Sequence, residues 1–400
     1  MTMTRRTALA LGASTLLAGR TSWAQGKPEL VIGELHPVTG PASFYGLVMS
    51  RTLQLLAQQA TAAGGLEIGG QSYTVRVETG DDQAQATVGV AALRKLTSSN
   101  VRFIIGPLSS AVAPAIKPVI DSNRNIVQVI DGSIADGVVN GRNSFRTQAN
   151  ADTYNNAVIA HLKAKGVTSA AVMSDRGHQG FMMSAPRMVK AMNEAGIKVV
   201  AEEFFKIGDT DFSAQLTKMK GLQPAALVLR GYPGEGALIT KQSQQLGLGA
   251  QVVWEMGAPP ATVLRNIPAE QMQGVVNCTP LMTEDYIRLQ VPNAVKFANA
   301  YRERFNELPS ENAAFTHDSF WVLVAAMRKA GGTDPQKVTD VMRALKVSEV
   351  PSLIVQYTPY ADGLLFQDGQ ANPPAAAQEW RGESWQAMDG ARVAITTSQN

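Results

Sequence analysis

Two hydrophobic periods take turns along this chain, and that exchange limits its fold more than any other feature. Short runs with apolar residues at every or every second position alternate with longer runs that repeat at every third or fourth. Residues 30–35 read as a strand. A helix follows with Met49, Leu53, Leu56, Ala57 and Ala60 on one face, stopped by Ala63-Gly64-Gly65. Tyr73, Val75 and Val77 alternate as a half-buried strand, and 83–96 returns to helix. Residues 103–105 form a buried strand, a helix runs to about Ser122, and 126–130 is again a strand. From Asn150 the exchange starts anew, with helices at 154–165, 181–195, 212–219 and 236–246. Strands at 170–174, 198–203, 225–229 and 251–254 alternate with them. Strands joined through helices run parallel and need cover on both faces. The expected class is α/β, with two doubly wound parallel-sheet lobes joined by a hinge; 400 residues exceed one ordinary core. Further on, amphipathic helices are expected at 293–305, 314–330 and 335–345 and a short strand at 352–357. The tail around Ala371-Asn372-Pro373-Pro374, Trp380 and Trp385 reads as irregular.

The stretch Val101 to Ala111 is where this architecture concentrates chemistry. Phe103 to Ile105 is broken by Gly106-Pro107, and Ser109-Ser110 then open a helical pattern (Ala111, Val112, Ala115, Ile116, Val119). Strand, turn, serine and helix start together set unpaired backbone N–H groups and hydroxyls at the carboxyl edge of a sheet. Such a corner suits an anion. The competing use of the serines is to cap their own helix. The loop Arg230 to Gly236 repeats the same plan of strand, glycine, proline and helix in the second half.

Other chemistry leaves no trace. No Gly-x-Gly-x-x-Gly follows a strand, and neither a phosphate-binding loop nor a Gly-x-Ser-x-Gly elbow occurs. His36, His161, His178 and His317 have no partner at metal-ligand spacing. Asp81-Asp82 reads as a solvated loop pair, and adjacent His317 and Asp318 should point apart on their helix. Binding without turnover, with no cofactor or metal, is the expectation. Arg5, Arg6 and Arg20 account for the whole formal excess of +3, so the rest of the chain is neutral and offers no stripe for nucleic acid. Those arginines belong to residues 1–24, which read as a signal peptide: Thr4 to Leu9 is twin-arginine-like, and the apolar run 8–19 is too short to span a bilayer. Ser22 and Ala24 put small residues before a cut at Gln25, and Arg20 stands where a lipoprotein's acylated cysteine would be. An exported periplasmic protein without a membrane anchor is expected. Cys278, the one cysteine, sits in an apolar run and reads as buried and inert.

Several motifs point further. Gly40-Pro41-Ala42 with Tyr45-Gly46 follows the first strand, Gly64-Gly65 closes the first helix, and Asp81-Asp82-Gln83 follows the second strand. Ile105 to Ser110, Thr210-Asp211-Phe212-Ser213-Ala214-Gln215-Leu216 and Gln273-Gly274-Val275 continue the series. In this order they make the chain similar to the type I periplasmic solute-binding proteins, and within them to the leucine/isoleucine/valine-binding branch serving ABC importers. The resemblance implies a monomer that closes by a hinge on a small-molecule carboxylate and delivers it to an inner-membrane permease. A sensory protein of the same fold is the alternative. The lobes would comprise 27–146 with 279–350 and 147–278 with 351–395.

By the same resemblance, Ser109, Ser110 and nearby N–H groups would receive the carboxylate and Gly132-Ser133 would add donors. Tyr45 and Tyr232 would wall the pocket, and Gln179 stands in place of an aromatic. The family's acidic partner for an α-ammonium falls near Met256-Gly257, with Glu255 one position away. With Glu255 in reach, a branched-chain or other apolar amino acid is the expected ligand. Without it, a buried ammonium would lack a partner at a cost of several kcal/mol, and an amine-free acid such as an aromatic carboxylate would be preferred. Arg230 would pair with an extra acidic group or serve the fold.

Overall fold

The computed structural model describes residues 27–40 and 42–388; the expected signal peptide, and residues 389–395 of the expected second lobe, lie outside them. The first sheet is built from β1 (Glu29–His36), β2 (Leu66–Ile68), β3 (Gln71–Asp81), β4 (Phe103–Ile105), β5 (Val127–Ile130) and β6 (Ser144–Arg146). Their order is β2-β3-β1-β4-β5-β6, parallel except for β2 against β3. Helices α1 (Ser43–Ala62), α2 (Ala86–Ser98) and α3 (Val112–Ser122) connect these strands. Met49, Leu53, Leu56, Ala57 and Ala60 are buried along α1 as the helical period requires.

The second sheet has the order β13-β12-β11-β10-β9-β7-β8. It contains β7 (Ser169–Asp175), β8 (Lys198–Phe205), β9 (Ala226–Arg230), β10 (Gln251–Trp254), β11 (Val276–Pro280), β12 (Ala375–Arg381) and β13 (Ser384–Ala387). Helices α4 (Ala151–Ala164), α5 (Gln179–Glu194), α6 (Ser213–Leu222) and α7 (Pro233–Gln245), with the single turns α8 (Pro260–Val263) and α9 (Ala269–Met272), belong with it. Separate apolar clusters fill its two faces, one around Met173, Leu227 and Trp254, the other around Val158, Val172 and Val228. Cys278 lies fully buried in the latter, where burial drives its thiol far above the ordinary range.

After β11 the chain returns to the first lobe as α10 (Thr283–Arg288), α11 (Pro292–Phe305), α12 (Ala313–Ala330) and α13 (Pro335–Arg343). The expected lobe boundaries need correction here. Thr279 and Pro280 still belong to β11, and Leu353, Val355, Tyr357 and Phe366 pack in the core of the first lobe. Only from Ala375 does the chain rejoin the second sheet, pairing antiparallel with β11. The strand expected at 352–357 is absent because the Asp318 carboxylate takes the N–H groups of Ile354 and Val355, each at 2.8 Å. The tail expected to be irregular is instead the hairpin β12–β13, where Trp380 and Trp385 face each other edge-on at 5.0 Å.

Two further expectations fail for local reasons. Asp82 is fully buried, not solvated, because its carboxylate folds back onto the Ala84 N–H, while Asp81 takes the N–H of Val38. His317 and Asp318 do not point apart, since the ring Nδ1 lies 2.9 Å from the carboxylate.

Candidate functional site

Each sheet has one place where successive connections leave in opposite directions: between β1 and β4 in the first, between β7 and β9 in the second. Open α/β sheets gather ligands at the carboxyl ends of such strands. The loops there face each other and enclose a cleft in two parts. An outer cavity of about 500 Å³ is lined by Phe44, Gln83 and Ser109 from one lobe and His178, Gln179 and Tyr232 from the other. An inner space of about 50 Å³ lies among Tyr45, Ser110, Gly132, Tyr154, Gly257 and Glu311. Ser110, His178 and Tyr232 line both. Between the two parts the rings of Tyr45 and Tyr232 approach to 6.2 Å and those of Tyr232 and His178 to 5.4 Å.

The serine corner has the expected form, with the two serines doing different things. The Ser109 hydroxyl accepts from the Ala111 N–H at 3.2 Å and donates to the Ala84 carbonyl at 3.4 Å, so it closes the turn ahead of α3 and ties it to the loop before α2. The Ser110 oxygen accepts from the Ile134 N–H at 3.2 Å and from the Ser133 hydroxyl at 3.3 Å. With both lone pairs occupied, the hydroxyl hydrogen of Ser110 remains for a guest. The backbone N–H groups of Ser110 and Gly132 also have no partner among the described residues. Two glycines make the corner possible. Gly106 has φ +116° and joins Pro107 by a cis peptide bond, and a Cβ there would stand 2.3 Å from the Leu35 carbonyl. A Cβ on Gly132 would stand 2.6 Å from the Leu108 Cα.

Beneath this corner, His36 joins the strand ends. Its Nε2 lies 3.1 Å from both Asp131 carboxylate oxygens, and its Nδ1 lies 3.4 Å from Glu34. Burial alone would lower its pKa, but Asp131 and then Glu34 overturn that and raise it to about 10. Glu34 is correspondingly held below its usual range, its burial outweighed by His36, Thr79 and Ser50. A charged, hydrogen-bonded imidazolium therefore fixes Asp131, the neighbour of Gly132.

In the second lobe, His178 caps α5 by accepting the Phe181 N–H at Nδ1, 3.3 Å away. Burial, helped by Arg230, lowers its pKa to about 4. The ring is neutral, with its proton on Nε2. Arg230 is wholly buried over the Phe181 ring, its Nη2 donating to Asn155 at 3.1 Å and Ser184 at 2.7 Å, and its Nε donating to Glu255.

The residues singled out in the sequence thus divide. Tyr45, Ser110, Gly132 and Tyr232 line the inner space, and Ser109 and Gln179 line only the outer cavity. Ser133 is wholly buried and lines neither, because its hydroxyl donates to Ser110 and accepts from the Ala135 N–H. Glu255 and Arg230 are likewise wholly buried and line neither part: the Arg230 Nε donates to one Glu255 oxygen, while Glu255 Oε1 and Arg230 Nη1 are buried without a partner among the described residues. Burial pushes the Glu255 carboxyl up despite the guanidinium beside it. His178, Gln148, Tyr154, Glu311 and Asn312 line the cleft without having been anticipated. The cue for His178 was a helix start directly after β7; for Glu311-Asn312 it was the turn-forming Pro309-Ser310 ahead of a long helix.

With this geometry in view, likeness to known proteins becomes informative. Residues 29–384 match the family described as periplasmic binding protein. The Leu/Ile/Val-binding protein BraC3 of Rhizobium johnstonii is 27% identical over 354 residues, covering 86% of this chain and 91% of that one. A leucine-binding protein, LivK, from Thermotoga maritima superposes with a TM-score of 0.76 at 23% identity, covering 90% of this chain and 97% of that one. A solute-binding protein of an ABC transporter from R. palustris, solved in complex with benzoate, gives a TM-score of 0.71 at 18% identity, over 90% and 95% of the two chains.

Proposed function

The chain belongs to the periplasmic binding protein family, whose members bind rather than transform their ligands, and from that premise we propose that it is the exported solute-binding component of an ABC importer. It captures a small carboxylate between its lobes as a monomer and presents the closed form to an inner-membrane permease. The observation that carries this reading is the Ser110 corner, where one hydroxyl hydrogen and two backbone N–H groups converge on the cleft. Donors of this kind match a carboxylate, and closure strengthens each bond by excluding water.

Aromatic rings, Tyr45 from the same lobe and Tyr232 and His178 from the other, are set to cover the body of the guest. The outer cavity, at about 500 Å³, is within the size range of small-molecule sites. The names of the relatives support branched-chain amino acids, and the benzoate-bound structure supports aromatic acids, as the guest's class. One experiment tests the proposal. The full chain, leader included, is produced in a Gram-negative host, recovered from the periplasm and denatured, and what it releases is identified by mass spectrometry. A small carboxylic acid in stoichiometric amount is expected; retention in the cytoplasm, or release of a guest without an acid group, would contradict it.

A further inference from the structure

Glu311 stands where the inner space meets a second cavity of about 130 Å³ behind it. Its main chain is pinned in the left-handed region at φ +49°. The Glu311 N–H donates to both carboxylate oxygens of Glu284, at 3.0 and 3.2 Å, and its carbonyl accepts from the Thr283 N–H at 3.2 Å and hydroxyl at 2.6 Å. The side chain is only 6% exposed, and its Oε1 has no partner among the described residues. The Tyr45 hydroxyl, on the wall of the same inner space, is buried and unpartnered too.

The groups facing Glu311 are acidic or neutral: Glu284 and Asp285 on α10, Tyr45 on α1 and Tyr154 on α4. Arg288, which lines the cavity behind Glu311, is engaged by Asp285 at 2.8 Å. Burial and then Glu284 push the Glu311 carboxyl well up, and burial raises Glu284 to about 7. A buried carboxyl beside a second carboxylate and without a counter-ion keeps its proton until a cation replaces it.

We propose that Glu311 selects for a positively charged nitrogen on the ligand, taking over the part that the sequence assigned to Glu255. A guest with its carboxylate at Ser110 and its ammonium at Glu311 would satisfy both unpartnered ends of one small space, with the Tyr45 hydroxyl as a second acceptor. This rests on the carboxylate reading above and narrows it to acids that carry an amine.

The test compares guests that differ only in that amine. The mature protein is titrated calorimetrically with L-leucine and 4-methylpentanoate, and with L-phenylalanine and 3-phenylpropanoate, in two buffers of different ionisation enthalpy. The wild type should prefer the amino acid of a pair by tenfold or more and release protons on binding it. Glu311→Gln should cut affinity for the amino acid about 10- to 100-fold, leave the deaminated acid within threefold and abolish the proton release. Glu255→Gln should keep the preference. Should Glu311→Gln fail to fold, the wild-type preference and proton release still decide. An amine-free acid bound as tightly as its amino acid without proton release, or a folded Glu311→Gln that keeps the preference, overturns the role of Glu311 and leaves the carboxylate reading standing. Binding of neither member of either pair overturns both.

Discussion

Replacing Ser110 with alanine removes two hydrogen bonds within the protein and the one proposed to the guest, and they have different consequences. The oxygen accepts from the Ile134 N–H and the Ser133 hydroxyl, at 3.2 and 3.3 Å, while its own hydrogen is the one proposed to serve the guest. Loss of one donor to a charged carboxylate is worth about 1.5–3 kcal/mol, or roughly 10- to 150-fold in Kd. Orphaning the buried Ile134 N–H costs stability, about 1–3 kcal/mol on the same scale. Ser110→Ala should therefore bind more weakly and unfold more easily. Ser133→Ala separates the two effects. Its hydroxyl bonds Ser110 and the Ala135 N–H but lines no cavity, so it should lose stability and keep its affinity within about threefold. The assay is titration calorimetry of each folded variant with the released acid, beside denaturant unfolding. A Ser110→Ala protein that binds within twofold of wild type would refute the role of the hydroxyl and leave it a purely structural bridge.

Other expectations follow from buried charge and from closure. Arg230→Met strands Glu255 in the core and should destabilise the protein by about 3–5 kcal/mol, whereas replacing both partners with apolar residues should restore most of that loss in chemical denaturation. The pKa of His36 is raised to about 10 from 6.5, so its contribution to stability is complete below the unfolded value and is lost as pH rises through about 10. Unfolding free energy measured from pH 7 to 10 should fall, and His36→Gln should flatten that part of the profile. Ligand should bring the lobes together, and X-ray scattering with and without the released acid should show a smaller radius of gyration when it is bound.

Much of the fold was legible because it rests on periodicity. Strand Gln251–Trp254 and helices α11 and α12 lie within a residue of where the hydrophobic pattern put them. The misreadings share a cause, which is side chains meeting backbone across long sequence distances. The strand pattern at 352–357 was sound as a pattern, but Asp318 reaches those N–H groups from α12. The Trp380–Trp385 pair becomes a hairpin only because β11 offers an edge to pair with. At the site, the Ser110 corner could be placed from a strand end and a turn, whereas Gly132, Tyr45 and Tyr232 followed from the family resemblance. That Glu255 would be taken by Arg230, 25 positions earlier, could not be foreseen, since both sit at strand ends and the packing of α4 and α5 over Arg230 directs it. Glu311 was hidden for the opposite reason: it comes from the return into the first lobe, far from the strands that frame the cleft.

The central claim is that the corner after β4 holds a negative charge. Titrating the wild-type protein with the acid it releases and with the primary amide of that acid tests this directly, since the two differ little beyond the charge. The acid should bind at least about tenfold more tightly than the amide, as charge-assisted bonds exceed neutral ones, and its advantage should shrink in Ser110→Ala. Equal affinity for acid and amide would mean that no anion is recognised there.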